Sequence, residues 1–320
     1  MSIRRSIRRR CRARRLLLVL LAAVVFGLWL ASAASAGPKI AFTVADSTRR
    51  SDGIWTVAAD GSGSRQLTSG PAYDLAPAWS PGRGSIAFIR SESGDVYDRK
   101  AWVMVMRSDG TNQRRLTYSG PSLTSGSYAL AYSPDGRYLA GGTSLKAGPE
   151  YGSDYGVFWG ITVLDLRTRQ SRVVYRYRCE NGIQSLSWSG DGSQLVATVE
   201  YGGGYGMFRV DVAGARLLND YEGTTSRVWA SWRPDGKYLL VAGYPAQSPG
   251  ATLSVLLMRP DGTTVKTIAK RQGCPVYSPD GEHYAFVVGQ EIRYADGDGK
   301  HPRRVLYFGE GRYATYLAWR

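Results

Sequence analysis

The clearest order in this chain is a phrase of apolar and polar positions that keeps returning. A short apolar strand ends on an aromatic residue, a tight polar turn follows, and a second apolar strand begins at once. The copies read Ala78-Trp79-Ser80-Pro81, Ala131-Tyr132-Ser133-Pro134-Asp135-Gly136 and Ser187-Trp188-Ser189-Gly190-Asp191-Gly192. Two more read Ser231-Trp232-Arg233-Pro234-Asp235-Gly236 and Val276-Tyr277-Ser278-Pro279-Asp280-Gly281. The anchors Trp79, Tyr132, Trp188, Trp232, Tyr277 and Trp319 are 53, 56, 44, 45 and 42 residues apart. Periods of about 40–50 residues in a strand-rich pattern point to the blades of a β-propeller.

Each repeat supplies four strands. Asp and Gly tolerate the left-handed backbone angles of tight hairpin turns. A third strand then alternates apolar and polar residues, as in Trp102-Val103-Met104-Val105-Met106, and turns at Ser108-Asp109-Gly110-Thr111. A fourth closes the unit at Arg114-Arg115-Leu116-Thr117. Second strands are predicted to start near Ile40, Ile86, Tyr138, Leu195, Tyr238 and Tyr284, which makes six blades. The repeats begin in mid-unit, at Lys39-Ile40-Ala41-Phe42, and finish on a first strand, Tyr316-Leu317-Ala318-Trp319-Arg320. Pairing the two ends would complete one blade from three strands and one, and leave no unpaired inner edge. The predicted fold class is therefore all-β, a six-bladed propeller over residues 37–320 with four antiparallel strands per blade.

These repeats resemble those of the TolB carboxy-terminal domain. The clearest copy is Asp74-Leu75-Ala76-Pro77-Ala78-Trp79-Ser80-Pro81, and the resemblance covers residues 38–320. There are departures. The aspartate of that copy is replaced in the others by Ser127, Ile183, Arg227, Gln272 and Ala314. TolB also carries an amino-terminal α/β domain, for which the repeats here leave no room, and related propellers precede hydrolase domains that this sequence lacks. The resemblance implies a fold and, more loosely, partner binding in a cell envelope; a fold alone does not supply a function.

Residues 1–36 read as a leader. Eight arginines precede residue 16, an apolar run of 15 residues spans 16–30, and Ala31-Ser32-Ala33-Ala34-Ser35-Ala36 follows. Basic start, apolar middle and small-residue ending are the parts of a secretory signal peptide. The run is shorter than the roughly 20 residues of a spanning helix, and the Ala/Ser tail keeps an uncleaved membrane anchor as the alternative. The expected location is periplasmic, envelope or extracellular. Without the leader, 33 cations face 26 acids, a net charge of +7. They look scattered along strands and turns, which argues for solubility and against nucleic acid, whose partners concentrate basic charge.

Little in the sequence suggests chemistry. Ser278, Asp280 and His283 supply the residue types of a triad but sit in a repeat turn. Asp296-Gly297-Asp298-Gly299 has the look of a calcium loop, yet Lys300 and Tyr307 occupy positions that need oxygen ligands. No Cys/His spacing suggests zinc, so no cofactor or metal is expected. Cys179 and Cys274 fall on nearly opposite sides of the predicted ring and are expected to stay unpaired. The loops between second and third strands read as long in blades 2, 3 and 4, at 90–99, 148–156 and 200–206, with a counterpart at 243–249. Tyr97, Tyr151, Tyr155, Tyr201 and Tyr205, with Asp95 and Asp154, are the candidate binding residues on that rim. Tyrosine offers a rigid apolar plate with a polar tip. The expected function is a monomeric, non-catalytic module that binds a protein or peptide. A carbohydrate-binding module on the same tyrosines is one alternative. A propeller lyase or hydrolase is the other, using acids such as Asp95, Asp98, Glu150, Asp154 and Glu200.

Overall fold

The computed structural model describes residues 37–46, 51–93, 101–124, 127–145, 158–178, 182–201, 204–220, 225–245 and 252–320. The first blade begins with β1 (Lys39–Asp46), β2 (Ser51–Ala58) and β3 (Arg65–Gln66). The second is β4 (Tyr73–Trp79), β5 (Ser85–Ser91), β6 (Ala101–Arg107) and β7 (Arg114–Arg115). The third is β8 (Ala131–Tyr132), β9 (Tyr138–Leu145), β10 (Phe158–Asp165) and β11 (Gln170–Arg178). The fourth is β12 (Ile183–Trp188), β13 (Gln194–Tyr201), β14 (Gly204–Asp211) and β15 (Arg216–Asp220). The fifth is β16 (Thr225–Trp232), β17 (Leu239–Pro245), β18 (Ser254–Met258) and β19 (Thr264–Lys270). The sixth is β20 (Gly273–Tyr277), β21 (His283–Val288), β22 (Glu291–Asp296) and β23 (Arg303–Tyr307).

The last strand, β24 (Arg312–Trp319), returns to the first blade and pairs antiparallel with β1, Trp319 opposite Ile40 and Ala318 opposite Ala41. Six four-stranded antiparallel sheets result, and the ring closes by the three-plus-one arrangement that the ends of the repeat imply. The second strands start within one residue of the predicted positions.

Burial falls from the second strand outward. In β1, Ile40, Ala41, Phe42 and Val44 are fully buried, and so are Ile86, Ala87, Phe88 and Ile89 in β5. These strands lie between neighbouring sheets, so both faces are covered and the sequence is apolar throughout rather than alternating. Each such Ile or Phe contributes about 1.5–3 kcal/mol on leaving water. The fourth strands stand at the perimeter; Thr264–Lys270 is exposed over most of its length.

The Ser-Pro-Asp-Gly turns are built alike. The Ser133 hydroxyl donates to Asp135 and accepts from the Tyr138 N–H at 2.8 Å, and Asp135 also accepts from the Arg137 N–H at 3.0 Å. Ser189 with Asp191 and Ser278 with Asp280 repeat the pattern. The following Gly136, Gly192, Gly236 and Gly281 have φ between 71° and 73°, the left-handed region.

Inner strands are stitched to one another by side chains. The Ala230 and Trp232 N–H groups of blade 5 donate to Ser185 and Ser187 of blade 4, at 3.0 and 2.9 Å. The Trp188 indole N–H reaches the Ala131 carbonyl of blade 3 at 3.0 Å.

Blade 3 departs from the repeat. Its inner strand is only Ala131–Tyr132, because the connection from blade 2 runs across the blade before entering it. That connection makes parallel bridges Ser119 to Gln170, Thr124 to Gly142 and Ser127 to Ile183. Gly141 makes this passage possible: a β-carbon there would lie 2.3 Å from the Leu123 carbonyl oxygen.

Candidate functional site

The six inner strands enclose a central cavity of about 490 Å3. Each inner strand starts at the end where second and third strands are joined and finishes at the Ser-Pro-Asp-Gly turn. The register shows this, with Tyr73 opposite Ser91 and Trp79 opposite Ile86 in blade 2. The anchors therefore ring one end. Trp79, Trp188, Trp232 and Tyr277 are buried, while Tyr132 and Trp319 are half-buried. They pack between blades, as expected of them: Trp188 lies against Tyr138 with ring centroids 6.2 Å apart. Burial raises the hydroxyl pKa of Tyr277.

The other mouth is where side chains differ from blade to blade. Tyr316 of blade 1, Tyr128 of blade 3, Gln184 of blade 4 and Trp229 of blade 5 line it, all half-buried. Tyr128 and Tyr316 lie parallel, centroids 6.1 Å apart and planes within 1°, and both pack against the start of blade 2's inner strand. Three adjacent blades reach this end through a bulge with a non-glycine residue at positive φ: Cys274 at 49°, Tyr316 at 53° and Ala76 at 55°. Residues held in that region cost about 1–3 kcal/mol each and concentrate at functional clamps. Cys274 helps hold the bulge beside it. The Tyr316 N–H is hydrogen-bonded to its sulfur, while burial pushes the thiol up to about 12. Among the described residues no acid lines the cavity, and the cations that line it are Arg83 and Arg320, near the anchor end.

Of the predicted rim residues, Asp95, Tyr97, Tyr151, Asp154 and Tyr155 lie outside the described residues. Tyr201 and Tyr205 are described, but not in a loop. The ladder of β13 and β14 continues through Glu200 opposite Tyr205 to Tyr201 opposite Gly204. Blade 4 thus projects a hairpin rather than the long loop expected at 200–206. Its glycines and tyrosines suggested a loop by composition, yet strand pairing needs only that the backbone stay extended. Likewise Arg90-Ser91 belongs to β5, and Gly243-Tyr244-Pro245 to β17. The hairpin still serves the mouth, since the Gln184 amide donates to the Glu200 carboxylate at 3.2 Å. The residues that sequence reasoning missed are Tyr128, Gln184, Trp229 and Tyr316. Their signal was a comparison of the repeats three and four places before each anchor, where the residue type changes most.

The remaining sequence candidates are engaged within or beside their own turns. Ser278 is engaged by Asp280 and by the His283 backbone, whereas the His283 ring faces Asp296 at 3.8 Å and packs edge-on against Tyr294. In the aspartate–glycine turn, Asp298 pairs with Lys300 at 2.8 Å and Asp296 with His301 at 2.7 Å. Among the described residues, no three His, Cys, Asp or Glu side chains are grouped to hold a metal ion. Cys274 is a free cysteine; Cys179 lies outside the described residues. Asp74 is buried and takes a two-pronged bond from Arg90, both contacts 2.7 Å. In blade 6 the equivalent Gln272 instead accepts from the Tyr284 hydroxyl at 3.0 Å.

This ring matches solved propellers. TolB from Acinetobacter baumannii superposes with a TM-score of 0.65 at 19% identity, covering 88% of this chain and 66% of that one. A putative TolB from Agrobacterium tumefaciens gives 0.59 at 17% identity, covering 89% and 98%. The fold is that of the TolB propeller. Sequence adds a short local match. Over 43 residues the chain is 49% identical to the Tol-Pal system protein TolB of Anaeromyxobacter dehalogenans, a stretch covering 13% of this chain and 9% of that relative. No family model matches. An oligogalacturonate lyase in complex with manganese shares the TolB-like architecture more distantly, with a TM-score of 0.53 at 14% identity over 81% of this chain and 73% of that one.

Proposed function

We propose that this TolB-like propeller is an exported, non-catalytic recognition module that binds a protein or peptide partner at the variable mouth of its channel. The observation that carries the reading is the convergence there of Tyr128, Gln184, Trp229 and Tyr316 from four blades. Aromatic plates with polar tips, a few convergent polar groups and a preformed concavity are what recognition sites share. The strained bulges of blades 6, 1 and 2 support it, because strain of this kind persists where a site needs a fixed shape. Tyr201 and Tyr205 on the blade 4 hairpin, with Asp95, Tyr97, Tyr151, Asp154 and Tyr155, extend the same surface in this reading. The leader at 1–36 directs the protein to the envelope or beyond it.

The test is to change Tyr151, Tyr155, Tyr201 and Tyr205 together to Ser, and to compare capture of an envelope partner with thermal stability. The proposal expects capture to be lost and melting to stay close to the parent. A variant that melts much earlier would show these tyrosines to be blade packing. The likeness to an oligogalacturonate lyase supports a second reading, in which the same mouth takes an acidic sugar. Screening the parent against a glycan array alongside the envelope extract separates the two.

A further inference from the structure

The cations that look scattered in the sequence are gathered by the fold. Strands β3, β7, β11, β15, β19 and β23 are the fourth strands of the six blades, so any charge they carry lies on the outer edge of the ring. They hold eleven Lys or Arg residues and a single acid, Asp220.

The concentration is greatest across blades 2 and 3. Residues 110–134 contain no acid, and neither do residues 166–179. The fold joins these two stretches at the perimeter. The Ser119 N–H donates to the Arg169 carbonyl at 2.9 Å, and the Ser171 N–H donates to the Ser119 carbonyl at 2.9 Å. The Ser171 hydroxyl adds bonds to the Ser119 and Pro121 carbonyls. One continuous edge thus presents Arg114, Arg115, Arg167, Arg169, Arg172 and Arg176, all exposed. Ser119, the residue bonded to Arg169 of blade 3, follows Arg115 of blade 2 by only four residues.

Two of the six are held. Arg115 lies over the half-buried Trp102 ring at 5.0 Å, and Arg172 donates to the Val212 carbonyl of blade 4 at 2.7 Å. The other four, Arg114, Arg167, Arg169 and Arg176, have no acid partner among the described residues. Two acids that precede them in sequence are engaged elsewhere: the Asp165 carboxylate binds Arg137 at 2.8 Å, and Asp109 accepts from Thr111. Like charges placed together without counter-charges repel, and a ligand of opposite sign relieves that repulsion.

We infer that this edge is a binding surface for an acidic glycan chain, separate from the channel mouth. Every cation in it is arginine, whose planar fork takes a carboxylate with two parallel hydrogen bonds, where lysine offers a point charge. Arg115, with Trp102 beneath it, stands on the face of blade 2 turned toward blade 1, so the row that a ligand follows runs from Arg114 through Arg169 to Arg176. The edge is a convex row along two adjacent blades, so a flexible chain with one acid per sugar can follow it from Arg114 to Arg176. It offers no helix or ribbon to enter the groove of duplex nucleic acid. The surface stands whether or not the channel binds a protein, because it shares no residue with the mouth.

The experiment measures binding of polygalacturonate to the parent chain at low and physiological salt by titration calorimetry. Two triple variants lose the same charge: Arg114→Gln/Arg169→Gln/Arg176→Gln in the patch, and Lys266→Gln/Lys270→Gln/Arg303→Gln on the outer strands of blades 5 and 6. Both sets are exposed, and circular dichroism should show both melting with the parent. The inference expects salt-sensitive binding by the parent, at least a tenfold weakening in the patch variant and less than a twofold change in the distal one. Equal weakening in the two variants would reduce the effect to net charge and overturn it. Single-stranded DNA bound as tightly, through the same arginines, would overturn the glycan assignment. Absence of polygalacturonate binding by the parent would overturn the whole inference.

Discussion

The ring is held shut by β24, and removing residues 316–320 should destabilise the entire propeller rather than fray one edge. The deletion removes Trp319 and Leu317, which pack against the cluster of Ile40, Phe42, Val44 and Val57. It breaks the pairing of Trp319 with Ile40 and of Ala318 with Ala41, and the bond from the Arg320 N–H to the Lys39 carbonyl at 3.0 Å. The Arg320 guanidinium, 4.4 Å from the Trp79 ring and bonded to the Arg83 carbonyl at 2.6 Å, goes as well. Truncating a fully buried aromatic costs about 3–5 kcal/mol, so the half-buried Trp319 and Leu317 together contribute about 3. Two or three ladder bonds add about 2–3 kcal/mol. The loss of about 5–6 kcal/mol is comparable with the whole stability of a typical domain, about 5–15 kcal/mol. At about 2–4 °C per kcal/mol for a chain of this size, the midpoint should fall by about 10–20 °C. Thermal and urea unfolding followed by circular dichroism would measure it, with Arg320→Ala alone as the control and an expected loss of about 1 kcal/mol. A truncated chain melting within about 2 °C of the parent would refute the closure argument.

Three further outcomes follow from named contacts. Gly141→Val should destabilise by about 2–4 kcal/mol in urea unfolding, because its β-carbon meets the Leu123 carbonyl oxygen and backbone must shift; an unchanged midpoint would show that the connection yields freely. Cys274, with its thiol pushed up to about 12 by burial, should resist maleimide in the native state at neutral pH and react on unfolding without reductant. Its folded pKa lies above the unfolded value of about 8.5, so its contribution to stability is complete below about 8.5 and lost as pH rises toward 12; a flat stability profile from pH 8 to 11 would count against this. Mass spectrometry of exported protein should show a chain lacking about 36 residues, whereas an intact membrane-bound amino terminus would favour the anchor.

Most of the architecture could be read because each blade repeats one chemical phrase. The turn Ser-Pro-Asp-Gly is recognisable wherever its hydroxyl, carboxylate and left-handed glycine are all required, and the second strand follows it without a gap. Closure could be read because the repeats start on a second strand and stop on a first. What could not be read depends on contacts across blades. The short inner strand of blade 3 arises from the passage of Leu123, Thr124 and Ser127 against Gly141 and Gly142, which no local pattern reports. Composition suggested a loop at 200–206, and the continued pairing of Glu200 with Tyr205 made it a hairpin. Ser119 and Arg169 are 50 residues apart in sequence and are joined only when two outer edges meet. Tyr128, Gln184, Trp229 and Tyr316 looked like ordinary strand residues until the ring turned the same end of each inner strand toward one mouth.

The central claim is that this mouth recognises a partner, and site-specific photocrosslinking tests it most directly. A benzophenone side chain would replace Trp229 or Tyr205 at the mouth, or Arg65 on the outer strand of blade 1 as the control, in cells that export the protein. The account predicts one dominant protein adduct from positions 229 and 205, mapped by mass spectrometry to a single segment of the partner, with little or none from position 65. Adducts of equal yield from all three positions, or from position 65 alone, would contradict it.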